Sequence, residues 1–135
     1  MSHEVVHPAA WPAPKGYANG VVASGRTLYV AGQVGWNTSG AFVSHELAPQ
    51  FGQALDNVVD VVRAAGGAPT DIVKMTVYVT DLAAYRSSLP AIGKEWRARL
   101  GKHFPAMALV GVSGLVERDA LVEIEAVAVL EPPGA

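Results

Sequence analysis

The sequence predicts an α+β fold in which a single β-sheet is backed by two helices on one side. Segments typical of strands and helices follow one another in the order strand, strand, helix, strand, helix, strand, strand, which suits one layer of sheet and one of helices. The length of 135 residues is that of one ordinary domain. The last strand is largely apolar on both faces, so we expect other copies of the chain to cover the side that the helices leave open.

The composition divides the chain into three parts. Residues 1–15 hold three prolines and no periodic pattern, which predicts an extended arm. Residues 16–131 contain all the predicted helices and strands and should form the one domain. Residues 132–135 are then a short tail.

Two segments rich in β-branched residues, 20–24 and 27–34, predict the first two strands. The two residues between them, Gly25-Arg26, form a connection of the length that closes a hairpin. Gly32 leaves a gap in the second strand, where a ligand or another backbone could approach closely. A simple bulge or bend would also explain a glycine at this position.

The middle of the chain predicts two helices with a strand between them. Helical spacing runs from Ala48 to Ala65, and its apolar positions are Phe51, Leu55, Val58 and Val62. A strand follows at 72–79. The second helix is expected at 89–100, since Gly101 stands just past its end and Ser88 is a candidate cap before it.

The last two strands are predicted at Ala106–Val112 and Leu121–Leu130, joined by a turn. One face of the final strand is wholly apolar and consists of Val122, Ile124, Ala126, Ala128 and Leu130. The other face carries Glu123 and Glu125 among apolar residues. If another subunit buries that face, the charged form of a glutamate is disfavoured and the side chain becomes suited to moving protons. Structural ion pairs with a neighbour's lysine or arginine would explain the two carboxylates equally well.

Composition and charge exclude several classes of function. Ten basic and twelve acidic residues give a net charge of −2, which offers no electrostatic footprint for nucleic acid or an anionic membrane. A run of cations lies where the second helix should end, at Arg97, Arg99, Lys102 and His103. There they complement the helix dipole. Since neither a membrane-spanning run nor a targeting signal is found, a cytoplasmic protein is expected.

No familiar cofactor or metal motif is present. The chain has no cysteine, and its four histidines are scattered, which argues against a metal site. A phosphate-binding loop, a dinucleotide-binding glycine motif and an HExxH motif are all missing. Half of the residues are hydrophobic and only 16% are charged, which favours self-association.

Several short segments together resemble one known family. The matching segments are Gly16-Tyr17-Ala18-Asn19-Gly20, 28–34, 53–58, Ala64-Ala65-Gly66, 71–82, Phe104-Pro105-Ala106 and Val122-Glu123-Ile124-Glu125-Ala126. In this order and with almost no gaps, the chain from about residue 16 to residue 130 is similar to the Rid family of reactive-intermediate deaminases (the YjgF group). No single segment is specific to the family, but the set is.

The resemblance implies a chorismate-mutase-like fold and a homotrimer whose sheets form a central barrel, with three clefts between subunits. It also implies hydrolysis of enamines or imines to ketones with release of ammonia, without a cofactor. In that activity Glu123 matches the residue that positions water, and Tyr17 matches a residue that lines the cleft.

The chain departs from the family pattern at the position that binds the substrate carboxylate. The resemblance implies an arginine after Phe-Pro-Ala, but position 107 is methionine, so a charged bidentate fork is replaced by an apolar side chain. Leu89 and Leu109 likewise stand where asparagine and cysteine are usual. A less polar cleft suits a larger or neutral substrate. The residues expected to contact it are Gly32, Trp36, Leu89, Met107 and Leu109.

Two hypotheses follow from the sequence. In the first, the protein is a hydrolytic enamine or imine deaminase with an altered substrate range, in which Glu123 directs water and Tyr17 lines the cleft. In the second, the cleft has lost its chemistry, and the trimer binds a small metabolite as a regulatory or partner-interaction module. Retention of Glu123 and Tyr17 favours the first. No nucleic-acid or membrane partner is expected in either case.

Overall fold

A mixed four-stranded sheet with helices on one face organises the protein. The computed structural model describes residues 3–132, so the first two residues of the expected arm and residues 133–135 of the expected tail lie outside the described residues. The elements are β1 (Glu4–Val6), β2 (Gly20–Val22), β3 (Arg26–Val34), α1 (Leu47–Ala64), β4 (Ile72–Val79), α2 (Leu82–Ser87), α3 (Leu89–Leu100), β5 (Ala106–Gly111) and β6 (Val122–Leu130). A single 3₁₀ turn, Pro69–Asp71, precedes β4. The predicted α+β class is confirmed.

The order of strands in the sheet is β3-β6-β4-β5. β6 runs antiparallel to both of its neighbours, whereas β4 and β5 are parallel. The parallel pair needs a crossover connection, which α2 and α3 supply. β1 and β2 form a separate two-stranded antiparallel sheet.

Two predicted hairpins are wrong. β2 pairs with β1 of the arm rather than with β3, so Gly25-Arg26 does not close a hairpin between the first two predicted strands. β5 and β6 are not neighbours either, because β6 inserts between β3 and β4. The physical reason lies in β6 itself, since a nine-residue strand with an apolar face gains most where it can pair on both edges.

A short helix, α2, was not expected from the sequence, where this segment predicts only a turn. Its six residues are too few to show a helical period, but its start carries a local signal: Asp81 is the N-cap, and its Oδ1 accepts a hydrogen bond from the N–H of Ala84 at 3.0 Å. Ser88 occupies the N-cap position of α3, yet its side chain makes no capping hydrogen bond. The predicted cap position of Ser88 is therefore confirmed, but no capping by its side chain is found.

The core lies between α1, α3 and the sheet. The apolar stripe of α1, including Leu55, Val58 and Val62, is fully buried against the inward face of β6, and Val122 and Ile124 are fully buried from the other side. Each such aliphatic side chain contributes about 1.5–3 kcal/mol to stability. This packing anchors β6, the strand that carries both glutamates.

Gln50 in α1 fastens the segment that leads into β6. Its side chain is fully buried, and its Nε2 donates to the carbonyl oxygens of Ser44 at 2.9 Å and Asp119 at 2.8 Å. Its Oε1 accepts the N–H of Leu121 at 2.8 Å. Because each polar atom of the buried amide has a partner, the start of β6 is held in one position.

The face of the sheet opposite the helices is open in the single chain. On that face Thr27 and Tyr29 of β3 lie opposite Val129 and Val127 of β6, and Tyr29 is 78% exposed. We call this surface the open face. Among residues 3–132, none of the helices combines the length and apolar character needed to cross a membrane.

Candidate active site

The predicted substrate-binding residues of β5 lie on the helix-facing side of the sheet. In the parallel ladder Met107 is paired with Met75, and Leu109 with Val77. Paired residues share a face of the sheet, and both β4 partners are fully buried in the core. Met107 and Leu109 pack against the edge of that core and remain partly accessible.

Met107 and Leu109 form the floor of a pocket of about 290 Å³ between α3 and the β4–β5 edge. Its walls are mostly apolar, with Leu89, Ile92, Trp96 and Phe104 among them. The rings of Trp96 and Phe104 are stacked, 5.9 Å apart and 8° from parallel, so this wall is rigid. The volume is at the lower end of those usual for small-molecule sites. We call this cavity the helix-side pocket.

Tyr85 of α2 is a polar residue in the wall of the helix-side pocket. Burial raises the pKa of the Tyr85 hydroxyl, because the charged phenolate is poorly solvated there. The side chain therefore remains a neutral hydrogen-bond donor over the physiological pH range.

The segment before β2 places Tyr17 beside this pocket. The N–H of Ala18 donates to the carbonyl of Pro105 at 2.9 Å, and Ala18 forms a parallel bridge with Ala106. Gly16 lines the pocket itself. Tyr17 lies between these two residues in the sequence and is 42% exposed, but it is not among the residues that line the pocket.

Two cations, Arg97 and Lys102, lie on the rim of the helix-side pocket. Both are exposed, and within residues 3–132 neither has an ion pair or a side-chain hydrogen bond. Arg99 differs, since it contacts Asp56 at 2.7 Å and Glu95 at 2.6 Å. The hydrogen bond that Arg99 donates to Asp56 is the main reason that the pKa of Arg99 is raised.

Glu123 lies on the open face, opposite to the helix-side pocket. Its neighbours in β6, Val122 and Ile124, point into the core, and Tyr78 of β4 is its partner across the strands. The Glu123 carboxylate rests against Gly32, where any Cβ would collide with the Oε2 atom. In the described part of the chain this carboxylate has neither a hydrogen bond nor an ion pair.

Gly32 admits the carboxylate because β3 carries a bulge. The register with β6 slips between Val30 and Gln33, so that Ala31 and Gly32 together face a single position of the partner strand. Of the two explanations that the sequence left open, the bulge is therefore found. The close approach is found too, but the group that approaches Gly32 is the protein's own Glu123.

Glu125 forms a hydrogen bond rather than an ion pair. Its Oε1 accepts the Tyr78 hydroxyl at 2.6 Å, and within the described residues it has no basic partner. This bond is the largest reason that the pKa of Tyr78 is raised, and the negative charge of Glu123 adds to the effect. The open face thus carries two carboxylates around one phenol.

Trp36 does not join either group of residues. Its ring packs against Phe42 of the same loop at 6.0 Å, and its carbonyl oxygen accepts from the Asn57 side chain at 2.9 Å. No metal-binding group of three or more histidine or acidic side chains occurs among residues 3–132.

Comparison with known proteins identifies the family. The model of the family described as endoribonuclease L-PSP matches residues 8–130. The chain belongs to the Rid family. Its similarity to the human 2-iminobutanoate/2-iminopropanoate deaminase, 33% identity over 133 residues, covers 98% of this chain and 93% of the human protein.

Solved Rid structures share this fold. The crystal structure of the Rid family protein YyfB from Yersinia pestis superposes with a TM-score of 0.85 at 35% identity, covering 96% of this chain and all of that one. The YjgF gene product of E. coli has a TM-score of 0.67 at 37% identity, covering 84% of this chain and 87% of that one. The mixed sheet backed by helices is thus a Rid architecture.

Sequence reasoning does not single out two residues that line the pocket. It interprets Arg97 and Lys102 only as complements to the helix dipole, together with Arg99. The sequence does distinguish Arg97 from Arg99: Glu95 stands four residues before Arg99, whereas Gly93 stands four residues before Arg97. Since side chains four apart on a helix are neighbours, Arg99 has a local acidic partner and Arg97 has none.

Proposed function

We propose that this Rid protein is a hydrolytic deaminase of imines or enamines, acting in clefts between the subunits of a homotrimer. The family membership and the similarity to the human 2-iminobutanoate/2-iminopropanoate deaminase support the reaction class. The observation that carries the proposal is the carboxylate of Glu123, which rests on the bare backbone of Gly32 and lacks a partner within residues 3–132. A carboxylate is a group that can serve as general base toward water.

The division of the site between two faces of the sheet supports an intersubunit cleft. In one chain β5 and β6 are separated by β4, which spaces them by roughly 10 Å. Met107 also faces the helices, whereas Glu123 faces away from them. A substrate in the helix-side pocket of one chain would therefore meet the Glu123 of another. A chorismate-mutase-like trimer, with three sheets closed into a barrel, would provide that arrangement if the β5 edge of one chain, which carries Met107 and Leu109, packs beside the open face of the next.

The chemistry needs no cofactor. Water attacks the carbon of a protonated imine while Glu123 accepts one proton from it, and a carbinolamine forms. Glu123 then returns that proton to the nitrogen, and the carbon–nitrogen bond breaks. The carbinol oxygen loses its proton as the ketone forms, and ammonia leaves with that proton as ammonium. The exposed Tyr17, which follows the pocket-lining Gly16 in the sequence, would orient the substrate in this reaction.

The substrate range is expected to be shifted toward apolar side chains. Leu89, Met107 and Leu109 all line the helix-side pocket, and none of them can hold a carboxylate. A methionine at 107, where the resemblance leads us to expect an arginine, opens apolar space that a short imino acid would leave unfilled. Imines with larger hydrophobic groups would fill it.

A second function, metabolite binding without catalysis, is favoured by a different observation. The helix-side pocket is complete within one chain and contains no carboxylate among its lining residues. Such a pocket could retain a ligand even if Glu123 never reached it. The regulatory trimer suggested by the sequence is therefore the alternative.

Ammonia release distinguishes the two functions. Imines are generated in place by an L-amino-acid oxidase acting on leucine, and ammonia is followed with wild type and Glu123→Gln. We expect wild type to accelerate release and Glu123→Gln to lose about 100-fold in kcat, because the general base is gone. The matched control is Glu117→Gln, which alters an exposed glutamate outside the site and should behave as wild type.

Two outcomes would contradict the deaminase proposal. Absence of acceleration by wild type, with thermal stabilisation by the matching 2-oxo acid, would favour metabolite binding. Equal activity of wild type and Glu123→Gln would remove the role of Glu123. Light scattering coupled to size exclusion tests the assembly, since a stable monomer would leave the site divided.

A further inference from the structure

We propose that Arg97 and Lys102 bind the carboxylate of the substrate, while its apolar side chain occupies the helix-side pocket. The inference rests on the proposed function and specifies its substrate class: 2-imino acids with branched or aromatic side chains. Four observations lead to it, namely the charge of the pocket, the state of Arg97, the position of Lys102 and the volume enclosed.

The pocket is apolar inside and positive at its mouth. The residues that line it include Arg97 and Lys102 but no aspartate or glutamate. The charged part of a ligand needs a polar partner and its apolar part an apolar surface, since an anion placed among Ile92, Met107 and Leu109 would have no partner. The only orientation that satisfies both parts places the side chain inward and the anion at the rim.

Arg97 is held near the rim without being neutralised. Its guanidinium folds back along α3, and its Nη1 would lie 3.2 Å from a Cβ at Gly93. Gly93 itself lines the pocket, so the missing side chain keeps the guanidinium close to the opening. Arg99, two residues further on, is already occupied by Asp56 and Glu95. Arg97 keeps its hydrogen-bond donors for a ligand.

Lys102 approaches the same opening from the end of the helix. α3 ends at Gly101, which has a positive φ of 57° and whose N–H donates to the carbonyl of Arg97. The chain leaves the helix at this glycine, and Lys102, the next residue, lines the same pocket as Arg97. The negative end of the helix dipole lies here and opposes an anion, so both cations are needed to outweigh it.

The size of the pocket indicates how large the apolar group is. About 290 Å³ exceeds what a methyl or ethyl group would fill, and unfilled apolar space contributes little affinity. A guanidinium fork and an ammonium together suit a single carboxylate. The substrate class that fits is an imino acid with a side chain of leucine or phenylalanine size.

Calorimetric titration at low salt with three probes tests the inference. The probes are 4-methyl-2-oxopentanoate, the product-like acid; 4-methyl-2-pentanone, which has the same branched chain without the carboxylate; and pyruvate, which has the carboxylate without the branched chain. We expect wild type to bind the first at least about tenfold more tightly than either of the others. Arg97→Gln and Lys102→Gln should each weaken it about fivefold, and the double variant about 25-fold.

Three controls separate specific recognition from net charge and from misfolding. Lys94→Gln removes an exposed cation of the same helix that does not line the pocket, and it should bind as wild type. Arg97→Lys retains the charge and should recover most of the affinity. All variants should keep the thermal midpoint of wild type, because the altered side chains are exposed.

The inference is overturned if wild type does not bind 4-methyl-2-oxopentanoate, or if Lys94→Gln weakens binding as much as Arg97→Gln. Its failure is distinguishable from failure of the proposed function. If the charge variants leave KM for the leucine-derived imine unchanged while Glu123→Gln abolishes ammonia release, the deaminase stands and the cation role falls. If ammonia release does not depend on Glu123 but binding depends on both cations, the role of the cations stands and the proposed role of Glu123 falls.

Discussion

The helix-side pocket and the open face are built from the same sheet but differ in what completes them. The pocket is enclosed by α2, α3 and the chain before β2, all from one protomer. The open face has no such cover, and Tyr29 on it is 78% exposed. The pocket is therefore an attribute of the folded chain, whereas the environment of Glu123 depends on what packs against it.

In one small domain, the residues that would bind a substrate can thus lie on a different face of the sheet from the group that would activate water. Residues that hold a substrate, such as Met107 and Leu109, are set by packing against the core. The group proposed to activate water, Glu123, is set by a bulge and a glycine on the opposite face. If the two act on one substrate, the reaction requires two chains.

Subunit mixing tests whether one active cleft combines the helix-side pocket of one chain with Glu123 of another, and it has the largest expected effect. Met107→Trp should block the helix-side pocket, and Glu123→Gln removes the proposed base; each variant on its own should be nearly inactive on leucine-derived imine. After unfolding and refolding together in equal amounts, about a quarter of the clefts should combine two intact halves, if neighbours assort at random. We expect ammonia release to recover to roughly that fraction.

The control for this experiment mixes Met107→Trp with a Met107→Trp, Glu123→Gln double variant. No cleft in that mixture combines an intact pocket with an intact base, so no activity should return. If the first mixture also stays inactive while light scattering shows mixed oligomers, both halves belong to one chain, and the intersubunit proposal falls.

Gly32→Ala should affect catalysis strongly and stability little. A Cβ at this position would collide with the Oε2 of Glu123, but a glutamate end is flexible and can swing away. A misplacement of about 1 Å can cost about 100-fold in rate, so we expect kcat to fall by roughly that factor. The matched control is Gly114→Ala, whose Cβ would meet nothing within 4 Å. If the thermal midpoint of Gly32→Ala falls so far that unfolding accounts for the lost activity, this explanation is contradicted.

Local patterns in the sequence predict the elements of the fold well. The strand at 72–79 and the helix at 89–100 have the bounds found in the structure, because each is defined by an apolar period and by its flanking residues. The pairing of strands is not local. The segment 20–22 could pair with β3, which follows it, or with β1, which precedes it. Which of the two it chooses depends on the arm, and β1 has only three residues, too few to show a strand pattern in the sequence.

The sequence predicts which of some candidate residues lie together but not the geometry of the candidate site. Leu89, Met107 and Leu109 do meet in one pocket, and Gly32 and Glu123 do meet on one face. That these groups lie on opposite faces follows from the place of β6 in the sheet, which the alternation within β6 does not specify. The roles of these residues stay predictions.

Met107→Arg alters the helix-side pocket and leaves the open face unchanged, so it tests whether residue 107 sets the substrate preference. A guanidinium on the pocket floor would occupy apolar space and offer a carboxylate partner deep inside. We expect the ratio of kcat/KM for the leucine-derived imine to that for the alanine-derived imine to fall by about tenfold. Met107→Gln, of similar length but uncharged, should reduce activity on the larger imine without improving activity on the smaller. An unchanged ratio in Met107→Arg would mean that residue 107 does not contact the substrate.

Tyr78→Phe tests the open face through its dependence on pH and has the smallest expected effect. The Tyr78 hydroxyl donates to Glu125 at 2.6 Å, and this bond is the main reason that its pKa is raised. The neutral phenol is thus favoured in the folded state, so its contribution to stability is fully present below the unfolded pKa of about 10 and is lost as pH rises through the folded value.

The thermal midpoint of wild type should therefore fall more steeply between about pH 9 and about pH 11 than that of Tyr78→Phe. Tyr85, whose pKa is also raised, is present in both proteins and cancels in the difference. Tyr29→Phe alters an exposed tyrosine of the same face and should follow the wild-type curve. Parallel curves for wild type and Tyr78→Phe would show that the hydrogen bond is absent from the assembled protein, and hence that the partner rearranges the carboxylates on this face.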